Sequence, residues 1–314
     1  MSENNQRNIS FNTLLYVDLK NQSLSENGIG GKFEDQIKTF VGCALALARS
    51  LSFFTGYQLT VLTNNEPYLR QFSNELNYKE LEFQMQVKPG IPFYSAHFKL
   101  DVFRYFASNE ESDLYMVLVD SDVVCINPAP INFYRCVDDR MPLYFDITSH
   151  HIPAYGRERM IRDKELVLVN SRSNGMWVGG ELVGGVNSFY RELVQEVDRY
   201  QTRYFEMSSK LFHQGDEFLL SVAIELMLKK GVAICEAGRF GIIGRYWTFP
   251  TKHIQKKWKS YSGHFLVHLP SDKRFLKSTR RVGDDFSLLL SRYIFRARIE
   301  GRLRYWILKL MRRI

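Results

Sequence analysis

The chain has 314 residues, 45% hydrophobic and 14% aromatic, enough for one large α/β domain or two ordinary ones around a packed core. Its formal charge of +8 is lopsided, because residues 286–314 hold eight basic side chains, Arg292 through Arg313, against one acid, Glu300. The rest is nearly neutral, and a basic tail without an interleaved stacking platform argues against nucleic acid as a partner.

The first ten residues are polar and lack the basic start and apolar stretch of a secretory signal, and no window reaches roughly 18 charge-free apolar residues, so the chain is expected in the cytosol. Cys43, Cys125, Cys136 and Cys235 stand apart without CxxC spacing, which predicts small core residues rather than disulfides or a zinc site.

In chain order, residues 12–19 ("NTLLYVDL") read as a first strand and "SENGIGG" as a loop, whose GIGG lacks dinucleotide-site spacing. Apolar residues at helical spacing predict a helix over residues 32–54. "YQLTVLTNN" and "LEFQMQV" predict two strands, "SAHFKLDVFRYFA" a helix, and "LYMVLVDSDVVCINP" a strand interrupted by Asp120 and Asp122. "MPLYFDI" is a further strand candidate, and "KELVLVNSRSNGMWVGGELVGG" a strand that breaks into a glycine-rich turn. Helices are expected from about Asn187 to Tyr204 and from about Asp216 to Lys230. Helices alternating with continuous apolar strands indicate a mostly parallel sheet covered on both faces, whose ligands sit at the carboxyl ends of the strands.

Two carboxylates one residue apart at the end of a buried strand need a cation, strong donors or solvent. Hard divalent cations take oxygen ligands and are shared between one or two carboxylates and a substrate diphosphate, which makes Asp120 and Asp122 candidate ligands of Mg²⁺ or Mn²⁺; an Asx turn is the structural alternative.

The DSD strand, the later "SNGMWVGGE" and "HQGDEF" and the final "HFLVHLPSDKRF" follow one another in an order that resembles the metal-dependent (DxD) glycosyltransferases of the GT-A fold, of the type that builds bacterial surface polysaccharide and lipooligosaccharide. The resemblance covers roughly residues 12–275. It implies a Rossmann-like, mostly parallel mixed sheet flanked by helices, with Asp120 and Asp122 on the metal and Ser121 near the ribose. It implies His268 as third ligand, with His264 as a rival, because the family's His-Gly-Lys-Pro-Trp ending departs here to His268-Leu-Pro-Ser-Asp-Lys273-Arg274. Tyr16 and Asp18 would line the base site, while Lys99, Arg104 and Lys273 could reach phosphates.

In the family, an acidic pair at the helix start after the glycine-containing acceptor strand touches the donor sugar, and in blood-group-type members a glutamate there serves as nucleophile or electrostatic support. This points to Glu217 and Asp216, although Asp216 also suits a helix cap. Trp177 could form a platform under an acceptor sugar, Gly179 and Gly180 could let backbone approach it, and Glu181 is a spare base. The alternative for Trp177 is a core position before a tight turn.

The tail carries Phe295, Ile299, Leu303, Trp306, Leu310 and Ile314 at steps of three and four among arginines, which suits a helix lying on an anionic membrane or docked on the body. The division expected is a catalytic domain over residues 1–285 and a membrane-association segment over residues 286–314. The function expected is transfer of a hexose-type sugar from a nucleoside diphosphate donor, above all a UDP-sugar, to a saccharide or lipid-linked glycan at the inner face of the membrane. Two rivals are a haloacid-dehalogenase-type phosphatase using Asp120, disfavoured because that motif ends a domain's first strand, and a non-catalytic scaffold.

Overall fold

The structure is a computed structural model that describes residues 7–20, 32–88, 91–169, 171–249, 251–279, 282–283 and 285–311. In chain order it contains β1 (Ile9–Leu14), α1 (Phe33–Thr55), β2 (Leu59–Thr63), α2 (Glu66–Arg70), β3 (Asn77–Glu80), α3 (Lys99–Ala107), β4 (Tyr115–Val119) and β5 (Val123–Cys125). There follow α4 (Ile131–Asp138), β6 (Leu143–Tyr144), α5 (Thr148–Tyr155), α6 (Arg157–Val167), β7 (Leu182–Gly185), α7 (Asn187–Met207) and α8 (Asp216–Lys229). The chain closes with β8 (Cys235–Glu236), β9 (Ile243–Arg245), β10 (Leu266–His268), α9 (Lys273–Ser278) and α10 (Phe286–Met311).

Seven strands form one sheet in the order β3-β2-β1-β4-β7-β6-β8. It is mostly parallel, with β7 antiparallel to both β4 and β6. Every residue of β4 is buried, as expected of a strand with both faces covered. The apolar run continues past Asp120-Ser121-Asp122 but changes sheets: Val123 N–H donates to Asp120 O at 3.1 Å, and β5 then pairs with β10 in a three-stranded sheet β5-β10-β9. The two carboxylates therefore occupy the turn between two sheets.

The sequence pattern places α1, α7 and α8 well, and α1 ends at Gly56, whose φ of 74° lets its N–H close the last turn on Ser52 O. β1 lies three residues earlier than its apolar run suggests. After Leu15, whose N–H still donates to Leu62 O at 2.9 Å, the backbone leaves the sheet, and Asn64 takes over the Val17 N–H and C=O, each at 2.8 Å. "LEFQMQV" forms no strand, because Gln84 and Met85 N–H donate to the Asp101 carboxylate at 3.1 and 2.9 Å. "KELV" is the last turn of α6, not a strand.

By length and apolar composition α1 would suffice to cross a membrane, yet Val41, Cys43, Ala44, Leu47 and Leu51 are buried in the body. The start of α10 is also part of the body: Phe286, Leu290 and Ile294 pack with Val124, Tyr246, Val267 and Leu276 over the small sheet. Among the expected stripe, Phe295 (69%) and Ile299 (44%) are exposed, while the side chains of Leu303, Trp306 and Leu310, and Ile314 entirely, lie outside the described residues, as does GIGG.

Candidate active site

Parallel pairing of β1 with β4 brings Leu15 and Tyr16 to the same edge as Asp120, and the antiparallel register Val119↔Leu182 delivers Gly179, Gly180 and Glu181 to that edge from the other direction. The small sheet adds His268, which lies opposite Val123 on one side and Arg245 on the other. The first turn of α8 supplies Asp216 and Glu217. Six segments distant in sequence thus converge at the carboxyl end of the central strands.

Ligand atoms of Asp120, Asp122 and His268 all lie within 4.8 Å of one another. His268 Nε2 is 3.1 Å from Asp122 Oδ1, and Nδ1 is 3.4 Å from Glu181 Oε1. Two carboxylates and an imidazole suit a borderline divalent cation such as Mn²⁺. His264 does not join them; it is half-buried beside Tyr261.

Lysines flank the three groups. Lys99 Nζ lies 2.6 Å from Asp120, 2.8 Å from Asp216 and 3.0 Å from Gly180 O, so its three protons are all engaged. Lys273 Nζ meets Asp122 at 2.6 Å and Pro270 O at 2.9 Å, which among the described residues leaves one proton for a ligand. Burial pushes the Asp120 carboxyl up to about 6 against the pull of Lys99, whereas for Asp122 burial is overcome by Lys273 and His268, which hold it well below the usual range. Burial alone would lower His268, but Asp122 and Glu181 override it and raise the imidazolium to about 9.

Arg245 binds a second pair of carboxylates. Its Nε donates to Glu181 Oε1 at 2.6 Å, and its Nη2 contacts Glu181 Oε2 and also Glu217 Oε1, the latter at 2.5 Å. Trp177 Nε1–H donates to Glu217 Oε2 at 3.0 Å and Gly180 N–H to Oε1 at 3.3 Å. Burial would raise Glu217, but Arg245 dominates and holds it at about 2, so it is ionised. Glu181 is lowered in the same way.

The cavity over these groups measures about 460 Å³, within the range of small-molecule sites. Its apolar lining includes Leu14, Leu15, Ile37, Phe40 and Leu69, and also Tyr16, which stacks on Phe98 at 3.6 Å and 10° and meets Phe83 edge-on. It is also lined by Lys99, Asp120, Ser121, Asp122, Lys273, Asp216 and Glu217, and by His151, Tyr155, Trp247 and His253.

Several expected residues lie elsewhere. Arg104 faces away, bonded to Asp101, Asp198 and Gln201 at 2.8, 2.5 and 2.7 Å. Asp18 is half-buried outside the lining, with Lys20 N–H on its carboxylate at 3.0 Å. Trp177 is 2% exposed, so its ring is a core element rather than an open platform, and only its N–H serves the site. Gly179 and Gly180 leave room for carboxylates instead of an acceptor: a Cβ at either would run into Glu181 or Asp216 respectively. Glu181 is fully buried under Arg245 and does not line the cavity. Asp216 is not the helix cap, a position taken by Gly215 at φ 111°, because its carboxylate is turned to Lys99.

Sequence reasoning overlooks Arg245, although "GIIGR" ends an apolar run on a charge just as the DSD strand does. It also overlooks His151, Trp247 and His253, whose signal is only local aromatic and histidine content.

No protein-family model and no curated relative matches the chain. Among solved structures, it is similar to the apo form of mouse xyloside xylosyltransferase 1, at 9% identity and a TM-score of 0.47 over 83% of this chain and 97% of that one. It is also similar to the galactosyltransferase LgtC in complex with donor and acceptor sugar analogs, at 9% identity and a TM-score of 0.45 over 88% and 98%.

Proposed function

We propose that the protein is a metal-dependent glycosyltransferase of the GT-A type that moves a hexose-type sugar from a nucleoside diphosphate to a saccharide or lipid-linked glycan. The observation that carries this reading is the grouping of Asp120, Asp122 and His268 within 4.8 Å in the lining of a cavity that Tyr16 and ionised Glu217 also line. These three residues would hold Mn²⁺ or Mg²⁺, which supplies Lewis-acid neutralisation of a departing diphosphate.

The chain's own groups divide the remaining work. The apolar part of the lining, which includes Tyr16, accepts a nucleobase, with the Tyr16 hydroxyl kept protonated by burial up to about 12. Lys273 offers its uncommitted proton to the diphosphate. Lys99 holds Asp120 and Asp216 in place. Glu217, fixed by Arg245, Trp177 and Gly180, presents negative charge to the cation that develops at the anomeric carbon as its bond to the diphosphate breaks and the acceptor hydroxyl, whose proton passes to the departing diphosphate, bonds to it.

A membrane-linked acceptor is supported by α10. Leu288 (52%), Phe295 (69%) and Ile299 (44%) are exposed along one side, with Arg292 and Arg296 exposed among them. Such a surface suits the headgroup layer of an anionic bilayer at the inner face of the membrane, with each arginine contributing about 1 kcal/mol.

The test is incubation of the full chain with a panel of nucleoside diphosphate sugars and Mn²⁺, followed by detection of released nucleoside diphosphate. Release from one donor that stops with chelator supports the reading, and no release with any donor, with or without acceptor glycolipids, contradicts it. Sedimentation with anionic but not neutral vesicles checks the membrane part.

A further inference from the structure

The end of the cavity beyond Glu217 is a wall of four rings that no residue of the proposed donor site uses. Trp247 and His253 stack at 4.5 Å and 12°. His253 lies 5.0 Å from His151 and 5.5 Å from Tyr155, and His151 and Tyr155 are 5.0 Å apart, all centroid to centroid. The wall is built from two segments locked together: His151 and Tyr155 come from α5, Trp247 and His253 from the chain after β9. Gln255 pins that second segment by accepting from Trp247 N–H at 2.8 Å and donating to its C=O at 2.6 Å.

His151 joins the wall to the reacting centre, with Nε2 3.7 Å from Glu217 Oε2. The carboxylate favours the tautomer with the proton on Nε2, which makes Nδ1 an acceptor. That Nδ1 is buried and has no hydrogen-bond partner among the described residues, although the residue is only 5% exposed. Burial holds His151 down to about 3 and lowers His253 as well, so the wall is uncharged near neutral pH. The nearby cation, Arg245, is already committed to Glu181 and Glu217.

Resting on the reading of this cavity as a sugar-transfer site, we infer that His151, Tyr155, Trp247 and His253 form the acceptor subsite and select an uncharged pyranose. The C–H face of such a ring packs against these cavity-lining rings. An acidic sugar would bring a second negative charge beside Glu217, where the guanidinium of Arg245 is already shared between two carboxylates.

The experiment is saturation-transfer NMR on the full chain with neutral methyl pyranosides and their uronic acid counterparts, with and without Mn²⁺ and a nucleoside diphosphate. Wild type is expected to bind neutral pyranosides through ring C–H protons and to bind the uronic acids at least tenfold more weakly. Trp247→Leu and His253→Ala are expected to weaken neutral pyranosides at least tenfold while still binding nucleotide, which shows that the variants fold. Equal or better binding of uronic acids, or unchanged pyranoside binding in both variants, overturns the inference. Failure of wild type to bind nucleotide contradicts the sugar-transfer reading instead, and the arm without nucleotide still decides whether the wall holds a pyranose.

Discussion

Arg245 Nη2 lies 2.5 Å from Glu217 Oε1 while the same guanidinium grips the fully buried Glu181. One cation thus fixes a carboxylate in the cavity by anchoring on a carboxylate beneath it. Removing it leaves Glu181 buried without that counterion, a change that costs about 3–5 kcal/mol. Arg245→Met is expected to lower the urea midpoint accordingly, and Arg245→Met combined with Glu181→Gln to recover much of the loss. A double variant no more stable than Arg245→Met would contradict this account of the pair.

Glu217→Gln keeps an acceptor for Trp177 Nε1–H but removes the charge. Sugar transfer is expected to fall about 10²–10³-fold, with nucleotide affinity little changed. A variant that transfers at the wild-type rate would remove Glu217 from the chemistry.

The proton on His268 gives a pH signature. Its folded value of about 9 lies above the ordinary 6.5, so between these limits the folded state binds more protons than the unfolded state. The stability it contributes is therefore complete below pH 6.5 and lost as pH rises through 9. A cation taken by His268 requires the neutral imidazole, so metal affinity is expected to climb with pH over the same window, with release of up to one proton per ion. Calorimetry in buffers of different ionisation enthalpy reads that proton directly, and pH-independent affinity between 6.5 and 9 would exclude His268 as a ligand.

Lys99 is the shared counterion of Asp120 and Asp216. Lys99→Met is expected to destabilise the metal-free protein by several kcal/mol and to make thermal stability more dependent on Mn²⁺ than in wild type. Equal Mn²⁺-induced shifts in Tm for the two proteins would show that Lys99 does not govern the charge of this site.

Local patterning carried much of the fold to the surface of the sequence. The repeat of Val41, Ala44, Leu47 and Leu51 marks α1, and the unbroken "YMVLV" marks a strand covered on both faces. Asp120 and Asp122 were legible because charge at the end of such a run demands a partner. What could not be read were non-local arrangements. The strands of the small sheet have only three residues each, too short to show a period, so neither the change of sheets at Asp122 nor the pairing of Arg245 with His268 is visible. Trp177 shows the same limit from another side: its neighbours allow either a platform or a core position, and the cover by α8 and Glu217 that decides for the core is not local.

The most direct test of the central claim is a calorimetric titration of wild type and Asp122→Asn with nucleoside diphosphates, each with and without Mn²⁺. The account predicts that one nucleotide binds wild type only with metal and that Asp122→Asn loses the metal-dependent part while remaining folded by circular dichroism. Nucleotide binding that is indifferent to both Mn²⁺ and Asp122→Asn, or no nucleotide binding at all, would contradict it.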